Sequence, residues 1–297
     1  KLALHSDDEQ TDELEFRLGQ LAHHKLDSVE QAIEYYRTIL ERHPDHQQAH
    51  EALRELLKNE EYHLEASRVL EGVYERTDQF AQLIEVLEIQ LADEADPYSQ
   101  GEFLKRIASI HQDKLSDFQA AFHDYARILK INQEPQFIDQ IENLSEVLNN
   151  KSELAQVFVD VVANVYEPEL QVTFHNKIGD LYLNSLNDEE KAKENFKATL
   201  EIQPDDRHAL ETLDAIYTER QNWTELLDIL DAKLQATSEA SIQTDLLYRI
   251  ADIQETRCEA HDEAIATYQR ILENDSSAAR AKDELSAIYT RQEMWTD

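Results

Sequence analysis

Apolar residues recur along this chain every three or four positions, in paired stripes separated by short polar stretches. Near the C-terminal end, Leu247, Ile250 and Ala251 fall on one helical stripe, and Ala264, Ile265, Tyr268, Ile271 and Leu272 form a second. A polar turn lies between them. The pattern predicts two antiparallel helices, each burying one face against the other. Similar pairs fill nearly the whole sequence, which reads as an all-α chain of about sixteen helices.

Four of these pairs align without a gap on a small residue: Gly19, Ala108, Gly179 and Ala251. An apolar residue precedes each anchor (Leu18, Ile107, Ile178, Ile250). Alanine follows thirteen positions later (Ala32, Ala121, Ala192, Ala264) and an aromatic seventeen later (Tyr36, Tyr125, Phe196, Tyr268). The anchor and the alanine permit close approach of the two helices, and the aromatic fills the space between hairpins. Asp27 with Glu30, and Ser116 with Gln119, have capping-box spacing at the start of the second helix.

These copies resemble the tetratricopeptide repeat, with its small, apolar, alanine and aromatic positions. Pro44 and Pro204 stand where that family's closing proline is expected, while Gln133 and Ser276 replace it elsewhere. Each copy carries one extra residue between its helices, and the usual large residue four before the anchor is Glu15, Leu104, His175 or Leu247. They are divergent members. The resemblance implies a right-handed superhelical solenoid of antiparallel hairpins, one continuous segment over residues 1–297.

Weaker hairpins lie between the strong ones. Anchors are spaced 71 and 72 residues apart in the later copies but 89 apart from Gly19 to Ala108. One further helix is therefore expected within residues 46–78, with YHLEASRVLEGVYERT as the addition and an irregular unit around it. Trp223 and Trp295 are equivalent positions, each opening the second helix of a weak hairpin. On that reading the chain is a section of a longer, bacterial-looking solenoid, whose uncovered ends favour end-to-end self-association.

Composition agrees with helices: only four glycines and five prolines are available for turns. The formal charge is -35, with 32 acids and 14 bases through residue 150 and 31 and 14 after it. So even an acidity disfavours nucleic acid and anionic membranes as partners and admits a basic protein segment. Solubility alone also accounts for it. No apolar run reaches the roughly twenty residues needed to span a bilayer. A single cysteine excludes an internal disulfide and leaves the compartment open.

Enzyme motifs are absent: there is no phosphate loop, HExxH, paired cysteines or serine elbow, and no cofactor is implied. Cys258 with His261 could pair a thiol with a base. However, Leu26, Leu115 and Leu186 hold the same place in the other copies, so a buried leucine-sized slot is the expectation. His43, His46 and His50 could converge on a metal, although solvated histidines around a proline turn explain them more simply. His23 and His24 suit the end of a first helix.

The family resemblance implies a ligand groove on the concave face, at three before and one, four and five after each anchor. Transferred to this chain, those positions select Phe16, Gln20, His23 and His24; Lys105, Ser109, Gln112 and Asp113; Asn176, Asp180, Leu183 and Asn184; Tyr248, Asp252, Glu255 and Thr256. Only Lys105 is basic, which speaks against the family's clamp for a terminal carboxylate. The expected role is a non-catalytic scaffold binding a protein or peptide. The rivals are a structural spacer with an empty groove and a regulatory arm of an enzyme outside this segment.

Overall fold

The computed structural model describes residues 2–25 and 28–291. These contain sixteen α-helices and no strand. The helices are α1 Leu2–Lys25, α2 Val29–Arg42, α3 Gln47–Leu56, α4 His63–Arg76, α5 Phe80–Asp93, α6 Pro97–Ser109, α7 Phe118–Asn132 and α8 Ile138–Leu148, then α9 Lys151–Val162, α10 Pro168–Asp180, α11 Glu189–Ile202, α12 Arg207–Arg220, α13 Trp223–Ala236, α14 Ala240–Thr256, α15 His261–Asn274 and α16 Ala279–Arg291. They form two compact units, Lys1–Asn150 and Lys151–Asp297.

In each unit every helix packs chiefly on its neighbours in sequence, and the short connections make successive helices antiparallel. The strong copies are the hairpins α1/α2 and α6/α7 in the first unit and α10/α11 and α14/α15 in the second. Ala32, Ala121, Ala192 and Ala264 are completely buried, as their role in close approach requires. Tyr36, Phe196 and Tyr268 are among the most deeply buried large side chains, and Tyr125 is buried against Phe137, ring on ring at 5.6 Å. In the second unit these residues join one apolar cluster running from Ala192 to Ile288.

The extra residue in each copy is lodged at the end of the first helix. Ile110–Lys114 and Leu181–Ser185 are single π turns, in which each hydrogen-bonded ring encloses one more residue than in an α-helix. Asp117 then donates its N–H to His111 O (2.8 Å), and Asp188 to Tyr182 O (2.9 Å), in both cases six residues back. The same reach recurs from Ser28 to Ala22 O (3.1 Å) and from Ala260 to Gln254 O (2.8 Å). The next helix starts after a left-handed residue, Ser116, Asn187 or Glu259.

This geometry corrects the expected caps. Ser116 holds the left-handed turn, and the cap of α7 is Asp117, whose carboxylate accepts from Ala120 N (3.0 Å). Asp188 caps α11 in the same way. Asp27 and Leu26 lie outside the described residues, as does Trp295. Cys258 is exposed, not buried, because its position belongs to the turn, where Leu115 is 41% exposed too.

Three helices, α3, α4 and α5, separate the first two strong hairpins, where two separate each later pair. The segment singled out as the addition forms α4, but α4 is the hairpin partner of α5. The unpaired helix is α3, ten residues long. It packs on α2 and α4, and α4 itself also reaches α2, where Arg76 donates to Leu40 O (3.4 Å).

Candidate functional site

The sequence-predicted site residues lie on α1, on α6 and α10 with the π turns that follow them, and on α14. One position past each anchor the side chain is polar: Gln20, Ser109 and Asp252 are exposed and Asp180 is half-buried. Their neighbours at the anchors, Gly19, Ala108, Gly179 and Ala251, are buried. The backbone thus holds each polar group on a packed, rigid support.

In the first unit Phe16 is buried, 7% exposed, its ring 5.7 Å from those of Tyr36 and His46. This corrects its assignment to an open groove: the large apolar ring has gone to the core. His24 is exposed and stacks on His23 at 4.3 Å. Partial burial, and then the adjacent His24, lower the His23 pKa. Lys105 is tied to Glu102 (2.8 Å) and Glu134 (3.2 Å) and lies 5.4 Å from the Phe137 ring centre. Gln112 is half-buried and Asp113 exposed.

In the second unit Asn176 accepts from Thr199 Oγ1 (3.0 Å) and donates to Asp206 (3.2 Å), the residue that caps α12. Asp180 meets His208 Nε2 at 2.9 Å. Tyr248 is half-buried under the guanidinium of Arg280, 4.4 Å from its ring centre. Leu183 is half-buried, and Asn184 and Thr256 are exposed. Glu255 departs from expectation, being buried and paired with Arg291.

His208 and Arg280 were missed by the sequence reading. Both stand four residues after the closing-proline position, Pro204 and Ser276, and each lays its side chain across a first helix of the preceding strong hairpin. Their signal was the repeat itself, had the groove been extended to the weak hairpins. Between α12, α13 and α14 there is an open cleft lined by Arg207, Glu211, Lys233, Ile242, Asp245 and Arg249. Glu102, Phe103 and Arg106 line a cleft at the equivalent place in the first unit.

The histidine trio has other employment. His43 pairs with the buried Asp12, His46 Nδ1 accepts from Ala49 N (3.2 Å) to cap α3, and His50 Nε2 bonds Pro44 O at 2.7 Å. Each is thus a structural, partly buried group and not a solvated one. No cluster of three or more metal-type ligands occurs among the described residues. No described helix is long and apolar enough to cross a membrane.

Residues 13–46 and 172–206 each match a family model described as tetratricopeptide repeat. No curated protein matches the chain in sequence. Solved structures with similarity include that of pilF from Pseudomonas aeruginosa, 14% identical, covering 75% of this chain and 97% of its own, TM-score 0.35. Another is the C-terminal part of a repeat-containing protein from Cytophaga hutchinsonii, 15% identical, covering 84% and 98%, TM-score 0.35. A third is the TPR2AB domain of yeast Sti1 in complex with pHSP90, 15% identical, covering 95% and 98%, TM-score 0.27.

Proposed function

We propose that this chain, residues 13–46 and 172–206 of which match the tetratricopeptide-repeat model of a fold that generally mediates protein–protein interaction, is a non-catalytic scaffold binding a protein or peptide segment along its first helices. The observation carrying this reading is the polar residue beside each buried anchor, forming a polar row in each unit: Gln20 and Ser109, with His24, in the first and Asp180 and Asp252 in the second. Within each unit such residues can hydrogen-bond an extended segment from a surface that does not yield. Lys105, Asn176, Leu183 and Tyr248 stand on the same helices and supply partly buried contacts.

The formal charge of -35 favours a basic or basic-flanked segment as the ligand. Capture with the whole chain, followed by titration of the captured protein against Asp252→Lys and Ser109→Lys variants, tests the proposal. Weakened binding by either variant supports it for that unit, and unchanged binding by both removes these residues from the site. A second reading, a spacer with an empty groove, draws on the internal bonding of Lys105, Asn176, Asp180 and Tyr248. Failure to capture any protein favours it.

A further inference from the structure

The cap of α3 is an imidazole. His46 stands twenty-seven residues after Gly19, as Asp206 stands after Gly179, and the two turns share one backbone: His46 N–H donates to His43 O and Asp206 N–H to Gln203 O, each at 3.1 Å. In both, the cap side chain accepts from the N–H three residues on, His46 Nδ1 from Ala49 (3.2 Å) and the Asp206 carboxylate from Ala209 (2.9 Å). Carboxylates also cap α6, α7 and α11, through Asp96, Asp117 and Asp188. Four residues after the cap, where α12 buries Leu210, α3 carries a second imidazole, His50, stacked on Tyr74 of α4 and bonded through Nε2 to Pro44 O.

These exchanges change what the turn does with protons. A backbone N–H can only donate, so His46 Nδ1 must offer a lone pair and the capping ring is neutral. Protonation removes the acceptor and sets a cation against the positive end of the helix dipole. His50 keeps its bond to Pro44 O when protonated, since that bond needs the Nε2 proton, but it too then adds a cation to the first turn of α3. His43 responds in the opposite sense, because a proton strengthens its pair with the buried Asp12 of α1. Asp12 and Glu15 of α1 are both paired with Arg42 at the end of α2, and the His46 ring lies 5.7 Å from that of Phe16 on α1. Asp45, next to the cap, is exposed, so solvent screens it. On α3 itself, Glu51 accepts from Gln47, Arg54 pairs with Glu85 of α5, and Glu55 acts on His23 and Tyr36. From α4, Arg76 donates to Leu40 O of α2.

We propose that α3 is a pH-sensitive joint in the first unit, capped and docked near neutral pH and released on mild acidification, with His46 as the sensor. Imidazoles change charge between about pH 5 and 8, whereas carboxylates stay charged down to about pH 4. The carboxylate-capped helices therefore keep their caps over the range in which α3 loses its own. Since the capped form takes only the neutral ring, the cap is complete on the alkaline side and lost as pH falls. α3 is ten residues long, has no hairpin partner and buries only Ala49, Leu53 and Leu56, so one cap weighs heavily on it. It also links α2 to α4. Its release leaves the α1/α2 hairpin joined to α4 by the direct contacts of α2 with α4. The inference does not rest on the polar rows.

Amide-exchange protection factors of the full chain, corrected for the intrinsic rate at each pH, test this across the histidine range, from about pH 7.5 to about 5.5. The amides of α3 should lose protection about tenfold, the effect of one helix cap, while those of α7 and α12 hold theirs. His46→Asp, which rebuilds the carboxylate cap of α12, should abolish the loss, and His43→Gln should leave it in place. Level protection of α3 across the range overturns the inference, as does a loss that survives His46→Asp. A loss that disappears in His43→Gln also overturns it, since the sensor would then be the pair with Asp12. Nitrogen NMR spectra of the imidazoles give an arm that needs no variant: near neutral pH His46 should be the Nε2–H tautomer, and an Nδ1–H tautomer there removes the cap on which the joint depends.

Discussion

Gly179 lies so close to the ring of Phe196 that a Cβ built on the glycine would stand 2.7 Å from Cζ. Gly19 and Tyr36 repeat the relationship, with Cε1 at 2.7 Å. Alanine is worth about 1 kcal/mol more than glycine inside a helix, so propensity alone would favour Gly179→Ala. Phe196 is fully buried and has little room to retreat. The substitution is expected to destabilise the protein by about 1 to 3 kcal/mol through overpacking, and Phe196→Leu in the same chain should recover part of the loss. Urea unfolding checks both, and a gain in stability from Gly179→Ala would show that the ring yields.

Tyr36 offers the opposite sign. Its hydroxyl is buried without a hydrogen-bond partner among the described residues, and burial, with Glu55 adding to it, pushes the phenol up to about 12. Tyr36→Phe removes only the unsatisfied oxygen and should raise stability by about 1 kcal/mol. Tyr268→Ala, which empties a whole ring site between hairpins, should cost about 3 to 5 kcal/mol. Paired melting curves of the two variants should move in opposite directions.

Asp214 sets a pH dependence. Burial raises its pKa, but hydrogen bonds from Arg249 and Lys233 together outweigh that and hold it below the ordinary carboxylate value. Since the folded value is the lower one, the stabilisation is complete above the unfolded pKa, about 3.9. It is lost as pH falls through the folded pKa. Asp214→Asn should therefore cost about 2 kcal/mol at neutral pH and progressively less in acid. Asp124 has the reverse sign: burial raises its pKa more than His111 and Arg127 lower it. Asp124→Asn should remove a penalty that the wild type sheds only as pH falls. Thermal melts across the acid range distinguish the two slopes.

Partner capture by the polar row should respond to salt. Screening shortens the field of a highly acidic chain from roughly 10 Å at 0.1 M to roughly 3 Å at 1 M. The association rate should therefore fall much more than the dissociation rate rises. Tyr248→Ala should instead shorten the lifetime of the complex, because it removes a half-buried contact and not a long-range charge. Stopped-flow mixing resolves the two rates, and an association rate indifferent to salt would reduce the acidity to a solubility device.

The hairpins were legible because their rules are local. Glycine or alanine, then alanine thirteen and an aromatic seventeen positions on, can be satisfied in only one way by two packed helices. Phe16 and Glu255 were misplaced for a different reason. A helix shows which residues share a face, but the boundary between buried and open faces depends on the helices packed against it: Phe16 turns towards Tyr36 of its own hairpin and His46 at the start of α3, and Arg291 of α16 reaches Glu255. Cys258 failed similarly: the repeat gave its equivalents correctly, but leucine at a turn is not evidence of burial when Leu115 itself is 41% exposed.

The π turns after Ala108 and Gly179 have a consequence for how such a chain can change over time. A π turn is an α-helix with one residue too many, and deleting that residue restores the ordinary ladder without rotating the helix on either side. Length at Ile110–Lys114 or Leu181–Ser185 can therefore drift by one residue while the anchor and its facing aromatic keep their phase. A deletion between Ala121 and Tyr125 has no such refuge, since it would turn the aromatic about 100° away from the anchor helix. Descendants of this hairpin should accordingly vary in length at the end of the first helix and hold their count within the second.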